Sequence, residues 1–208
     1  MIIVLKPSLQ FKVPVKIKLR KEEKVISEDE YPKPNTTSED LGRLRACFTP
    51  TGTVTAGNAS GINDGAALLM LTSSAEAKAR SLTPLVKIVS WSQAGCDPIL
   101  MGVGPIDAIR VCAQKAGWSL GDVDLFEVNE AFSSQSVAIL RELGLDAARV
   151  NVGGGSIAIG HPIGCSGARV LVTLIHSMIR LGKRKGLAAL CIGGGMSIAM
   201  CVERPDEF

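Results

Sequence analysis

The sequence reads Asn-Val-Gly-Gly-Gly-Ser-Ile-Ala-Ile-Gly-His-Pro-Ile-Gly-Cys-Ser-Gly from Asn151 to Gly167, and the rest of the chain is organised around this glycine-rich stretch. It holds His161, one of the two histidines of the chain, between Gly160 and Pro162 and just before a long apolar helical pattern. Glycine lets the main chain approach a ligand closely, and proline fixes its own φ. A histidine at such a loop can act as acid, base or hydrogen-bond donor near neutral pH. The alternative is a loop histidine that only bonds backbone groups.

The composition indicates an aliphatic core with many turns. Of the 208 residues, 46% are hydrophobic, only 4% are aromatic, and 22 are glycines, which suits one large domain or two small ones. The net charge of +3 is too small to indicate a nucleic-acid partner. No apolar run reaches membrane-spanning length, and residues 1–20 alternate rather than form a signal-peptide block. We therefore expect no membrane association.

The first 65 residues predict a hairpin followed by loops. Apolar and basic residues alternate from Phe11 to Arg20, which is typical of a half-buried strand, and Val25-Ile26 is the return strand. We favour a solvated basic face over a phosphate-binding one. Residues 27–38 predict a linker. Residues 51–65 are small and polar, so their N–H groups either contact an extended ligand or belong to a tight structural crossover.

From Pro84 onward the pattern alternates between strands and helices. It predicts strands over 85–91, 125–128, 187–191 and 196–203, with helices over 105–116, 130–143 and about 164–181. Such alternation, with a closing strand pair, favours an α/β layered domain whose helices pack on a mostly parallel sheet.

Four features lie at the ends of these elements, where α/β folds place their sites. They are His161, Cys191, Asn129 and the run Gly193–Gly195. Backbone N–H groups near Cys191 could lower the pKa of its thiol, and the glycine run could form an oxyanion hole. The structural alternatives are an inert buried cysteine and an asparagine that only caps a helix.

The remaining candidate groups are less informative. A helical wheel places His176 beside Arg169 and Arg180, opposite the apolar stripe, so we expect it on the surface. No ligand lies at metal-motif spacing from His161, so we predict no metal site. The six cysteines form no Cys-x-x-Cys pair, and we expect free thiols, one of which is a candidate reactive group.

These motifs resemble those of the thiolase family. The glycine-rich stretch around Gly160-His161-Pro162 is similar to the thiolase signature, Cys191-x-Gly193-x-Gly195 to the last catalytic segment, and Asn129-Glu130-Ala131-Phe132 to the Asn-Glu-Ala-Phe element. Within the family, residues 52–61 and 88–91 are most similar to cytosolic-type acetyl-CoA acetyltransferases. The resemblance covers residues 51–204 and, weakly, the hairpin.

The resemblance implies a fold and a domain plan. It implies a layered α/β fold in which a complete C-terminal core domain has a mixed five-stranded sheet covered by helices. Residues 1–50 would be a remnant of the loop domain, residues 51–80 the last elements of the N-terminal core domain, and residues 81–208 the C-terminal core domain.

The resemblance also implies the chemistry of an acetyl-CoA C-acetyltransferase. Two acetyl-CoA would give acetoacetyl-CoA and CoA, or the reverse, with CoA thioesters as substrates and no further cofactor. His161 would activate the nucleophilic thiol and donate to the thioester oxygen, and Cys191 would be the acid/base at the α-carbon. Asn129 would hold a water of the first oxyanion hole, and the Gly193 N–H would serve the second.

The resemblance to thiolases further implies a pantetheine channel, an oligomeric state and a cellular location. The channel would be lined by Ser60, Gly61, Ile62, Met101, Ala131 and Phe132. We expect a homo-oligomer in the complete enzyme and a cytoplasmic location, with a mitochondrial one left open.

The chain departs from the family pattern in one major respect. The nucleophilic cysteine belongs to the first half of a thiolase, and none of the six cysteines here has a similar context. Ser197 also replaces an expected glycine and could narrow the site, and Gly153 stands where asparagine is common. Three hypotheses follow: a segment of a working acetyltransferase, which we favour, a truncated non-catalytic paralogue that binds CoA or thiolase subunits, and a domain whose glycine loop merely packs. The first two predict that this chain alone forms no acetoacetyl-CoA.

Overall fold

The computed structural model describes residues 2–3 and 14–205, with side chains from residue 14 onward. The start of the predicted first strand, residues 11–13, lies outside the described residues. Ile2–Ile3 pairs antiparallel with Met70–Leu71. Among the described residues no helix is both long and apolar enough to cross a membrane.

The predicted hairpin forms, but its apolar face is not buried. Strands β1 (Val15–Lys18) and β2 (Glu23–Ile26) pair antiparallel, and every residue of both is exposed. Val15 is 56% exposed and Val25 53%. The prediction of a half-buried strand was therefore wrong for this chain, because no described element packs on the hairpin. A short helix α1 (Ser38–Gly42), capped by Thr37, follows it.

The core is a mixed four-stranded sheet. Helix α2 (Ser74–Ala79) precedes it, and its strands in chain order are β3 (Lys87–Gly95), β4 (Leu125–Val128), β5 (Lys185–Ile192) and β6 (Met196–Glu203). The spatial order is β3-β6-β5-β4, with β4 and β5 parallel and the other pairs antiparallel. The layered α/β fold is thus confirmed, whereas the expectation of a mostly parallel sheet was wrong, because the closing strand β6 runs antiparallel to both of its neighbours.

The expected fifth strand is reduced to one bridge in the described part of the chain. Val150 forms a single parallel bridge with Phe126 of β4. The chain then turns at Asn151, whose φ is +49° and whose side chain accepts a hydrogen bond from the Val128 N–H. The extended run is therefore too short to continue the ladder.

Helices cover both faces of the sheet. Helices α3 (Pro105–Ala116) and α4 (Ser133–Leu143) pack on one face, where the buried cluster includes Ile109, Ile139, Phe126, Leu187 and Ala199. After the short helix α5 (Ser156–Ile159), helix α6 (Ser166–Arg180) covers the other face with Val170, Leu171, Leu174, Ile175 and Met178. That spacing is one apolar stripe of an α-helix. Short 3₁₀ turns occur at Pro98–Val103, Leu120–Asp122 and Ala147–Arg149.

Helix α4 starts three residues later than the sequence predicted. Residues 129–132 stay extended because Ala59 bridges Phe132 and the Ser60 N–H donates to the Ala131 carbonyl at 3.0 Å. The Gln135 side chain then accepts hydrogen bonds from the Ala131 and Phe132 N–H groups. The predicted helix start at Glu130 was wrong, and the plain N-cap alternative for Asn129 does not hold.

Candidate active site

Asn129 and His161 meet at the carboxyl edge of the sheet. Asn129 directly follows β4, is completely buried, and its N–H donates to the Ala189 carbonyl of β5 at 2.9 Å. Its Nδ2 lies 3.3 Å from Nε2 of His161. A strand from one part of the sequence and a loop from another therefore bring a carboxamide and an imidazole together.

The loop around His161 fixes the imidazole from both sides. The His161 N–H donates to the Gly61 carbonyl at 3.0 Å, and His161 forms a parallel bridge with Ile62. Gly160 has a φ of +92°, and a Cβ there would overlap the side chain of Asn63, so this position requires glycine. Nδ1 of His161 lies 2.6 Å from the Ser166 hydroxyl at the start of α6.

Burial determines the protonation of His161. Loss of solvent lowers the pKa of the imidazole, and the nearby positive charge of Arg169 lowers it further. Because both effects disfavour the charged form, His161 is neutral at pH 7, as a general base must be.

Cys191 lies near the end of β5 at the same edge of the sheet. It is two residues beyond Ala189, whose carbonyl accepts the Asn129 N–H. Since β4 and β5 are parallel, their carboxyl ends meet, and the chain places Cys191 on the same side of the sheet as Ala189. The half-buried thiol therefore lies at the same carboxyl edge of the sheet as Asn129.

The pKa of Cys191 shifts in the direction opposite to the one expected from the sequence. Burial raises the pKa of this thiol above its ordinary value of 9.0, and a backbone hydrogen bond lowers it by less. The nearby thiol of Cys96 also raises it. The protonated thiol is therefore the resting form at neutral pH.

The glycine run after Cys191 forms a tight turn. Gly194 and Gly195 have φ values of +84° and +82°. The Gly195 carbonyl accepts a hydrogen bond from the Cys96 N–H at 2.7 Å, and a Cβ on Gly195 would overlap the Cys96 carbonyl. Gly193 is exposed, with open space around its Cα. Ser197 turns its hydroxyl toward the Ala94 and Gly104 carbonyls, at 3.1 and 2.9 Å.

Five of the six predicted channel residues lie on two paired segments beside His161, residues 60–62 and residues 131–132. Ser60 donates from both its N–H and its hydroxyl to Ala131, at 3.0 Å each. Gly61 and Ile62 continue toward His161, and Ile62 is 91% exposed. Phe132 contacts the ring of Phe48 edge to face. Met101 lies on a different segment, in the 3₁₀ turn before α3, where its neighbour Gly102 packs on Gln135.

A buried polar network behind Asn129 escaped the sequence analysis. Arg169 forms an ion pair with Glu127 at 3.0 Å and donates to the Ser156 hydroxyl at 2.9 Å, and that hydroxyl donates to Oδ1 of Asn129 at 2.7 Å. The helical wheel assigned Arg169 to a polar face, yet its side chain is only 14% exposed. His176, expected on the surface, is likewise half-buried. A charged Glu127 inside an apolar strand was the one sequence signal for this network.

Glu127 experiences two opposing effects. Burial raises the pKa of its carboxyl to about 7, although the charge of Arg169 and its hydrogen bond pull the pKa down. Desolvation is the larger of these effects because the side chain is almost fully enclosed.

The six cysteines are free thiols, and neither nitrogen of His161 contacts one of them. Those nitrogens are occupied by Asn129 and Ser166. Cys112 and Cys201 are buried on the α3 face with their sulfurs 3.5 Å apart. Within the described residues, no group of three or more His, Cys, Asp or Glu side chains could hold a metal ion.

Comparisons with known proteins find relatives over most of this chain. The family profile of the thiolase N-terminal domain matches residues 9–75, and that of the thiolase C-terminal domain matches residues 82–204. Cytosolic acetyl-CoA acetyltransferase of Mus musculus is 56% identical over 194 residues, which is 92% of this chain and 49% of that protein. Acetyl-CoA acetyltransferase of Escherichia coli is 55% identical over 192 residues, with the same two shares.

Two solved structures have the same fold. The acetyl-CoA acetyltransferase of Bacillus anthracis superimposes with a TM-score of 0.91 at 51% identity, over 93% of this chain and 49% of that one. Human mitochondrial 3-ketoacyl-CoA thiolase in complex with CoA gives a TM-score of 0.84 at 44% identity, over 87% of this chain and 46% of that one. The chain thus spans about half the length of the relatives it matches. With profile matches over most of its length and a shared fold, the chain belongs to the thiolase family.

Proposed function

We propose that this chain carries the acid/base and oxyanion part of an acetyl-CoA C-acetyltransferase site. The enzyme would condense two acetyl-CoA to acetoacetyl-CoA and CoA, or catalyse the reverse thiolysis. The observation that carries the proposal is the contact of Asn129 with His161 at the carboxyl edge of the sheet, the edge at which the strand that holds Cys191 also ends. Relatives named acetyl-CoA acetyltransferase support the substrate class.

The protonation states fit the proposed roles. A neutral His161 accepts the proton of the nucleophilic thiol and then donates it from Nε2 to the thioester oxygen. Cys191 exchanges the proton at the α-carbon of the second acetyl group. Because burial raises its pKa, its thiolate is a strong base, which a weak carbon acid requires.

Main-chain and amide donors would stabilise the charge that develops on oxygen. Asn129 would hold a water that joins His161 in the first oxyanion hole, and the exposed Gly193 would offer its N–H to the second. Donors that are already in place cost no reorganisation during the reaction. No metal or further cofactor enters this scheme.

CoA would reach the site along the two paired segments beside His161, residues 60–62 and residues 131–132. We assign the pantetheine contacts to Ser60, Gly61, Ile62, Met101, Ala131 and Phe132. The high exposure of Ile62 supports this, since an exposed apolar side chain at the rim of a site is available to a ligand. The solved relative that contains CoA supports CoA thioesters as substrates.

The nucleophilic thiol would come from a part of the enzyme outside this chain. Both ring nitrogens of His161 already have partners, and neither partner is a cysteine. We assign residues 1–50 to a remnant of the loop domain, 51–80 to the end of the N-terminal core domain and 81–208 to the C-terminal core domain. The cytosolic relatives favour a cytoplasmic location, and the mitochondrial relative supports a mitochondrial location as the alternative.

A second candidate function is a non-catalytic paralogue that binds CoA or thiolase subunits. The exposed apolar side chains of the hairpin favour it, since such surfaces drive association: Val15, Ile17, Val25 and Ile26. The same exposure supports a homo-oligomer for the complete enzyme.

One experiment separates the two candidates. The longest open reading frame that contains this chain is expressed and assayed for thiolysis of acetoacetyl-CoA, beside the 208-residue chain alone. We expect activity only in the longer protein, and no acetyl adduct on the short chain by intact mass after incubation with acetyl-CoA. A stoichiometric adduct on any of its six cysteines contradicts the proposal that the nucleophilic thiol comes from outside this chain. Inactivity of the longest protein with retained CoA binding favours the paralogue.

A further inference from the structure

The hydrogen bonds around Asn129 have only one consistent direction. Arginine can only donate, so the Ser156 hydroxyl accepts from Arg169 at 2.9 Å. The single hydroxyl proton of Ser156 is then directed to Oδ1 of Asn129 at 2.7 Å. Oδ1 is thereby fixed toward Ser156, and the NH₂ group of Asn129 faces His161.

That orientation determines which nitrogen of His161 carries the proton. The Asn129 NH₂ group cannot accept a hydrogen bond, so Nε2 of His161, 3.3 Å away, must present its lone pair. The neutral imidazole then has its proton on Nδ1.

The other side of the ring is compatible with the same assignment. The Ser166 hydroxyl donates its proton to the Pro162 carbonyl at 3.0 Å. The oxygen of Ser166 is therefore left as the acceptor for Nδ1–H of His161 at 2.6 Å.

We propose that Ser156, held by Arg169, is a positioning residue that orients the carboxamide of Asn129 and so keeps neutral His161 in the Nδ1–H tautomer, with the lone pair on Nε2. Free histidine prefers the opposite tautomer, so the protein must impose this one. The inference deepens the proposed function, on which its catalytic meaning rests: a base that takes a thiol proton through Nε2 needs that lone pair.

Burial makes the arrangement durable. Ser156 and Asn129 are fully buried, and Glu127, which anchors Arg169, is 1% exposed. Water therefore cannot easily replace these partners, and an unsatisfied buried group would be costly. Arginine has no acceptor atom, so the direction of these hydrogen bonds does not depend on the protonation of Glu127.

The tautomer can be measured in the 208-residue chain by long-range ¹H–¹⁵N NMR with labelled histidine at pH 8. Only two histidines exist, so His176→Gln assigns the signals. We expect Nδ1–H to exceed Nε2–H by about tenfold at His161, as one well-formed hydrogen bond allows. A scalar coupling between the Asn129 NH₂ group and Nε2 gives a second reading that needs no variant. A predominant Nε2–H form overturns the proposal.

Two matched variants test the role of Ser156. Ser156→Ala removes the donor to Asn129, and we expect the tautomer preference to fall several-fold. Thr173→Val removes a different hydroxyl partner of Arg169, at 3.3 Å, and should leave it unchanged. An unchanged preference in Ser156→Ala, or an equal loss in Thr173→Val, overturns the role of Ser156.

The same pair in the longer protein tests the catalytic meaning. We expect Ser156→Ala to lower kcat several-fold with KM unchanged, and Thr173→Val to alter neither. If that protein has no thiolase activity, the proposed function fails while the NMR result still decides the tautomer. If it is active but kcat does not fall, the positioning role is overturned.

Discussion

Gly155 packs directly on the carboxyl group of Glu130, so closely that a Cβ at Gly155 would overlap the carboxyl carbon and both oxygens. That carboxyl accepts hydrogen bonds from the Asn151 side chain at 3.1 Å and from the Ile157 N–H at 3.3 Å. It therefore connects the segment after β4, which holds Asn129, to the loop that leads to His161.

Gly155→Ala should separate these two segments. The added methyl group must displace Glu130, and overpacking of this kind costs about 1–3 kcal/mol of unfolding free energy. Urea unfolding of the chain measures the loss. Gly153→Ala is the matched control, because its Cβ would meet only Arg180 at 3.9 Å. Equal stability of the two variants would show that the Glu130 carboxyl can move aside for a Cβ at position 155 without cost.

The sequence predicted the layers of this fold better than it predicted the site. Helix α3 and strand β6 have the predicted bounds, because a proline start, a glycine stop and a regular apolar period are local signals. The start of α4 was wrong because Asn58, Ala59 and Ser60, about seventy residues earlier, bond to residues 131–133. Such a distant pairing leaves no trace in local periodicity.

The sequence likewise predicted only part of the site. His161, Asn129 and Cys191 were identified from motifs, yet Ser156 and Arg169 were not, because their roles depend on which residues they contact in the folded chain. A buried arginine and a surface arginine have the same place on a helical wheel. The pKa direction of Cys191 was missed for a similar reason, since burial outweighs the backbone donors.

The raised pKa of Glu127 should make the stability of the chain depend on pH. Burial raises its folded pKa to about 7 from an ordinary 4.5, so between these values the folded chain binds more protons than the unfolded one. The contribution of Glu127 to the free energy of unfolding is therefore fully present below pH 4.5. It is lost as the pH rises through 7, and the total loss is about 3 kcal/mol.

Glu127→Gln isolates this contribution. The histidines, whose pKa values are lowered by burial, titrate in an overlapping range with the opposite sign. Both side chains at position 127 are neutral at low pH, so we expect the variant and the wild-type chain to have similar stability there. Between pH 4.5 and 7 the wild-type chain should lose stability relative to the variant, because only Glu127 must ionise in a buried place. Urea unfolding at several pH values measures it. A wild-type chain that instead gains stability relative to the variant as the pH rises would mean that Arg169 outweighs burial.

Cys191 should react slowly as a nucleophile in the resting chain. Because burial raises its pKa, the thiolate fraction at pH 8 is small. We expect alkylation by iodoacetamide, followed by peptide mass spectrometry, to reach half its maximal rate above pH 9.0. Exposed Cys47 in the same sample controls for reagent and unfolding. A midpoint well below 9.0 would show that the backbone donors of the glycine turn prevail.

His161→Ala in the longer protein tests the base itself. Loss of a positioned general base lowers the rate by about 10²–10⁴-fold, so we expect kcat for thiolysis to fall by that factor while CoA binding is kept. His176→Gln is the control, because His176 lies on α6 away from the hydrogen bonds of Asn129. If both variants turn over acetoacetyl-CoA at the wild-type rate, the glycine loop only packs, and the imidazole beside Asn129 is not a catalytic group.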